Sequence, residues 1–138
     1  MKLLIIDNYD SFTYNLVQLV EQAGITDYII VKNDELDRLK PNDFDRVIIS
    51  PGPGIAEEAG QLMWFLSKFY TSKAILGICL GHEAIAELFG AKLIQMKEPM
   101  HGIKNKAQVI IRDDIFKAIP DHFYIGHYHS WNIDESTL

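Results

Sequence analysis

A single thiol in a glycine-flanked setting is the residue of this sequence best suited to covalent chemistry. Gly77-Ile78-Cys79-Leu80-Gly81 spaces a nucleophile between two glycines in the way a strand-to-helix nucleophile turn requires, because such a turn is crowded and closes only around small neighbours. The position would help the sulfur twice. A helix N-terminus favours the thiolate, which is the reactive form. The backbone N–H of Leu80 would also point toward an oxyanion formed at Cys79. A lone cysteine is commonly a small buried hydrophobe; the paired glycines favour the reactive reading. A second candidate is Ser50-Pro51-Gly52-Pro53-Gly54. Its prolines fix φ and its glycines permit close approach of backbone to a ligand, so the N–H of Gly52 or Gly54 could be held toward an oxyanion. On its own such a run reads as a turn. Its interest depends on whether the fold brings it to Cys79.

The elements needed to do this are visible as changes of hydrophobic period. Leu3 to Ile6 is a continuous aliphatic run, expected for a strand covered on both faces. Phe12, Leu16, Leu19, Val20 and Ala23 recur at helical spacing, with Asp10 or Ser11 as N-cap and Gly24 as the stop. Tyr28–Val31 and Val47–Ile49 read as the second and third strands. Leu62, Phe65, Leu66, Phe69 and Tyr70 form another helical stripe, Ala74–Ile78 a fourth buried strand, and Leu80–Phe89 a helix that Gly90 ends. Ala91–Gln95, Ala107–Ile111 and Phe123–Tyr128 look like strands joined by loops. Strands alternating with helices imply βαβ units, hence a mainly parallel sheet with helices on both faces. In such sheets ligands bind beyond the carboxyl ends of the strands, which predicts convergence of residues 7–11, 50–54 and 78–82.

Composition excludes several functions. The net charge of -6 over 138 residues is wrong for a protein whose main task is nucleic-acid binding, which needs clustered Lys and Arg. The lone cysteine cannot form an internal disulfide or a Cys-rich zinc site and points to a reducing, cytoplasmic setting. No apolar run approaches the ~20 residues that span a bilayer, and Met1–Asp7 lacks the features of a signal peptide. Length fits one domain. No metal or cofactor is expected.

Five segments, in order, resemble the class I glutamine amidotransferases, and within them the small subunits of anthranilate and aminodeoxychorismate synthases. They are Asp7-Asn8-Tyr9-Asp10-Ser11-Phe12-Thr13-Tyr14-Asn15-Leu16, Ser50–Gly54, Leu76–His82, Lys97-Glu98-Pro99-Met100-His101-Gly102 and Tyr128-His129-Ser130. The resemblance implies a flavodoxin-like three-layer α/β sandwich in which Cys79 attacks the side-chain amide of glutamine. The N–H groups near Gly52 and Leu80 would form the oxyanion hole, ammonia would leave, and water would release glutamate from the thioester. Gly52, Pro53, Gly54, Leu80, Glu83, Ser130 and Trp131 would line the glutamine site. The ammonia would pass to a larger chorismate-binding subunit, with the 97–102 loop near that partner.

Three departures from the pattern accompany the resemblance. The family's histidine base and its glutamate come from a His-Pro-Glu segment that would fall past Leu138, so the resemblance implies an amidotransferase domain over 1–138 truncated at its C-terminus. A catalytically inactive binding subunit is the alternative. None of His82, His101, His122, His127 and His129 matches that base. Glu83 stands where the family usually has Gln; an ionised carboxylate only accepts hydrogen bonds, would repel the substrate carboxylate and would weaken glutamine binding. A solvent-facing helix residue is the plain reading of the same Glu83. Trp131 replaces a common Leu at a contact that is largely backbone. A phosphorylated receiver domain shares the fold but needs an Asp after the third strand, where this chain has Ser50-Pro51. A redox protein with a cysteine elbow would not need the Pro-Gly loop.

Overall fold

Five aliphatic and acidic residues, Leu3–Asp7, form β1, and all five are buried, as a strand sandwiched between two layers must be. Strand β2 (Tyr28–Lys32), β3 (Arg46–Ile49) and β4 (Ala74–Gly77) complete a four-stranded sheet in the order β2-β1-β3-β4, with every pair parallel. Because side chains alternate across a strand, the sheet has two apolar faces. Leu4, Ile6, Val47 and Ile49 pack with Leu62, Phe65, Leu66 and Phe69 of α2 (Leu62–Phe69) and with Leu80 and Ala84 of α3 (Leu80–Leu88). Leu3 and Ile5 pack on the other side with Val17 and Val20 of α1 (Thr13–Gln22). This is the three-layer, flavodoxin-like sandwich implied by the sequence. Phe44, Phe65 and Phe69 contribute tilted and edge-on ring pairs with centroids 4.7–5.7 Å apart.

The structure, a computed structural model describing residues 1–138, divides into two compact units: Met1–Leu93 with Ile133–Leu138, and Ile94–Asn132. The second unit is a ribbon. Strands β5 (Leu93–Gln108) and β6 (His122–Ile133) form a two-stranded sheet, and none of residues 94–132 is buried.

Local details differ from the sequence reading in four places. The buried face of α1 is Thr13, Val17 and Val20, while Phe12, Leu19 and Ala23 are exposed. Thr13 can face the core because its hydroxyl donates to Asp7 Oδ1 at 2.9 Å. The helix has no side-chain cap; Asp10 instead accepts from the Phe12 N–H just ahead of it. Strand β4 is an edge strand with Leu76 56% exposed, not a buried one. Finally, Ala91–Gln95, the 97–102 loop and Ala107–Ile111 resolve into the one long strand β5, which ends at Gln108. A two-stranded ribbon tolerates Pro99, because each strand has a free edge toward which a missing N–H can face.

A cysteine elbow beyond the parallel sheet

Cys79 connects β4 to α3 with φ 53° and ψ -111°. Only Tyr9 shares a positive φ among the non-glycine residues. Such a conformation costs on the order of 1–3 kcal/mol and persists where the surroundings impose it. They do so here through backbone contact. A Cβ on Gly77 would sit 2.3 Å from the carbonyl carbon and oxygen of Gly81, and one on Gly81 would sit 2.7 Å from Ile49 Cβ. Neither glycine has a positive φ; both are required because chain passes against chain. The turn is tied by Gly81 N–H to Ile78 O at 3.0 Å and by Glu83 N–H to Cys79 O at 2.9 Å.

The Pro-Gly loop meets this elbow. A Cβ on Gly52 would lie 2.4 Å from Leu80 Cδ2 and 2.6 Å from Asn8 Cβ, so Gly52 is held between the first and third loops. The predicted convergence of residues 7–11, 50–54 and 78–82 is present within the first unit. Behind it lies a buried polar network that the sequence reading did not identify. Asn8, Asn33 and Ser50, all buried, bond to one another at 2.8–3.1 Å. Pro53 and Gly54 are exposed, and Gly54 turns the chain with φ +72°.

Electrostatics at the sulfur run against the expectation from the helix. Burial is the largest influence and pushes the Cys79 thiol above its ordinary pKa, and the Glu83 carboxylate pushes it further. The Leu80 N–H pulls the other way, while Asp10 adds a smaller upward push. The helix start does supply the N–H expected of it; desolvation and two acids outweigh it. Glu83 itself is 6% exposed, which overturns its reading as a solvent-facing residue. It stands in the first turn of α3, four residues after Cys79.

Ser130 and Trp131 lie on β6, in the second unit, both half-buried. Ser130 Oγ is 3.4 Å from His101 Nε2. The Trp131 carbonyl lies 2.9 Å from His129 Nδ1, and His129 Nε2 lies 3.0 Å from His127 Nδ1. His82, His101 and His122 are exposed. No cluster of His, Cys, Asp and Glu is arranged to hold a metal ion, and no helix is long and apolar enough to cross a membrane.

A parallel sheet whose edge strand runs into a strained cysteine, backed by a glycine loop from the neighbouring strand, defines an α/β protein with a cysteine at a sharp strand-to-helix elbow. Comparison with known proteins narrows the class. Residues 4–138 match the family described as glutamine amidotransferase class-I. Anthranilate synthase component 2 of Lactococcus lactis is 45% identical, over 98% of this chain and 68% of its own length. The protein of that name from Pyropia yezoensis is 44% identical, over 96% and 70%. Aminodeoxychorismate synthase component 2 of Serratia marcescens is 38% identical, over 99% and 71%. A glutamine amidotransferase structure from Thermotoga maritima shares the fold, with a TM-score of 0.74 at 17% identity over 97% of this chain and 62% of that one. The chain belongs to the class-I glutamine amidotransferase family, and it spans roughly seven-tenths of the length of these synthase components.

Proposed function

We propose that this chain is the glutamine-hydrolysing part of an anthranilate or aminodeoxychorismate synthase, with Cys79 as its nucleophile. The observation that carries the reading is the strained elbow at Cys79 with Gly52 packed against Leu80. Two backbone N–H groups, those of Gly52 and Leu80, then flank the sulfur as an oxyanion hole. Cys79 Sγ adds to the amide carbon of glutamine, giving a tetrahedral oxyanion that these groups stabilise; a preorganised donor of this kind is worth about 2.7–4 kcal/mol. Collapse, with the proton from the thiol going to the departing nitrogen, expels ammonia and leaves a γ-glutamyl thioester. Water then attacks the thioester, releasing glutamate and restoring the thiol. Pro53, Gly54 and Glu83 complete the glutamine site within the first unit, and the assignment of Ser130 and Trp131 to glutamine binding rests on the resemblance alone. The ammonia passes to a larger chorismate-binding subunit against which residues 97–102 dock. One amidotransferase domain covers 1–138, and it works in the cytoplasm without metal or cofactor.

A second reading has a specific observation in its favour. Burial and the Glu83 carboxylate push the Cys79 thiol pKa upward, which lowers the share of the reactive thiolate and suits a subunit that binds the partner without supplying ammonia. Glutamate release from glutamine, measured in the presence of a chorismate-binding synthase subunit, separates the two. The amidotransferase reading expects release that Cys79→Ala abolishes. Equal background in both proteins, with ammonia but not glutamine supporting the partner's product, contradicts it and leaves the docking role.

A further inference from the structure

Asn8 directly follows β1 and is 1% exposed. It grips Ser50, at the end of β3, with both main chain and side chain. Its backbone N–H donates to Ser50 Oγ at 3.0 Å, and its Nδ2–H donates to the Ser50 carbonyl at 2.8 Å. Its Oδ1 accepts from Asn33 Nδ2 at 3.1 Å, and the Asn33 backbone N–H returns to the Asp7 carbonyl at 3.0 Å. The Ser50 hydroxyl donates in turn to the Pro51 carbonyl at 2.7 Å. Carboxyl ends of three neighbouring strands are therefore bolted together through one amide. The amide suits the place because it is a donor at one end and an acceptor at the other. An aspartate would set an oxygen against the Ser50 carbonyl, and an aliphatic residue would orphan a buried carbonyl at a cost of about 1–3 kcal/mol.

The same side chain sets the height of the loop. Gly52 is two residues past Ser50, and a Cβ there would meet Asn8 Cβ at 2.6 Å and Leu80 Cδ2 at 2.4 Å. Asn8 and Leu80 together fill the space on the face of Gly52 where a side chain would stand, so the loop backbone lies directly against both. We propose that Asn8 is a positioning residue that fixes the Gly52 backbone against the Cys79 elbow, acting through Ser50 and anchored by Asn33. This rests on the reading of Gly52 as an oxyanion donor. Such sites lose function when the donor drifts by about half an ångström, so the clasp matters to the reaction beyond its contribution to stability.

The test compares two reagents on Cys79. A chloromethyl ketone carrying the glutamine backbone must be bound and its carbonyl oxygen accommodated before it alkylates the sulfur. Iodoacetamide needs only an accessible thiol. In the wild type the ketone is expected to react preferentially, with free L-glutamine slowing it. In Asn8→Leu, close in shape but unable to bond, the ratio of ketone to iodoacetamide rates should fall by about tenfold or more, in line with the loss of an oriented oxyanion donor. The iodoacetamide rate should stay level. Ser50→Ala, which removes only the hydroxyl link, should lower the ratio by a smaller factor and decides the matter if Asn8→Leu does not fold. A ratio unchanged in the folded variant, or two rates that fall together, overturns the role of Asn8 and leaves the amidotransferase reading intact. A wild type with no preference for the ketone overturns both.

Discussion

At Gly77, in the first unit, an added methyl group would fall 2.3 Å from the Gly81 backbone; at Gly126, in the second, the nearest atom is the tip of the Tyr128 ring at 3.4 Å. The same contrast runs through the apolar residues. Ile49 is fully buried between β3 and the helices, while Ile110 on the ribbon side is 89% exposed. In the first unit each motif residue is fixed by several neighbours at once. In the second, the motif residues sit on a ribbon without a core of its own, and two-stranded sheets are marginal in isolation. A sequence motif therefore has two meanings in this chain. Around Cys79 it records close contact that can be derived from geometry. Along β5 and β6 the matching segments have no such local physical cause, and their meaning comes from resemblance alone.

The largest effect that would break this contrast is at the elbow. Gly77→Ala and Gly81→Ala force backbone apart and should destabilise by more than about 3 kcal/mol in urea unfolding, near the tail of single-substitution effects. Gly126→Ala should fall within about 0.5 kcal/mol, as surface changes do. Equal losses at both places would mean the ribbon is as constrained as the sheet. Next in size, Ile49→Ala should cost about 2–5 kcal/mol as a core truncation, while Ile110→Ala should change little in the same assay.

Glu83 sharpens the account at the level of chemistry. Its charge raises the Cys79 thiol pKa, so Glu83→Gln should move the midpoint of the iodoacetamide rate against pH downward and speed alkylation near pH 7. The same change should lower the KM for glutamine wherever hydrolysis is measured; an unchanged KM would remove Glu83 from the substrate site. The smallest effect concerns Glu87, whose Oε2 is buried without a partner. Burial first, and the nearby Glu57 second, raise its pKa. A carboxyl whose folded pKa exceeds its unfolded one binds more protons when folded, so this group's contribution falls as pH rises through the window from the ordinary glutamate range to the raised value. Glu87→Gln should flatten that slope and raise the neutral-pH Tm slightly; a lowered Tm would contradict it.

The fold was legible where the signal was periodic. Strands β1 to β3, α2 and α3 follow directly from aliphatic runs and helical stripes, and the elbow follows from the glycine spacing. Counting apolar residues misplaced the buried face of α1, because Thr13 reaches the core with its hydroxyl bonded to Asp7 while Leu19 stays in solvent. Glu83 was legible as a departure from the resemblance but not as a buried group, since burial depends on what packs over α3. The Asn8–Ser50–Asn33 network left no local pattern: its bonds join residues 42 and 25 positions apart. Asn8 was in view only as one letter of a matching segment. A sharp turn at Cys79 was implied by the glycine spacing, whereas its positive φ and the dominance of desolvation over the helix start needed the actual packing.

Whether Cys79 lies in a site shaped for glutamine is decided by mass-spectrometric mapping after treatment with the glutamine chloromethyl ketone. One adduct is expected, on Cys79, and free L-glutamine should slow its formation. An adduct that forms elsewhere, or on Cys79 at a rate indifferent to glutamine, would contradict it.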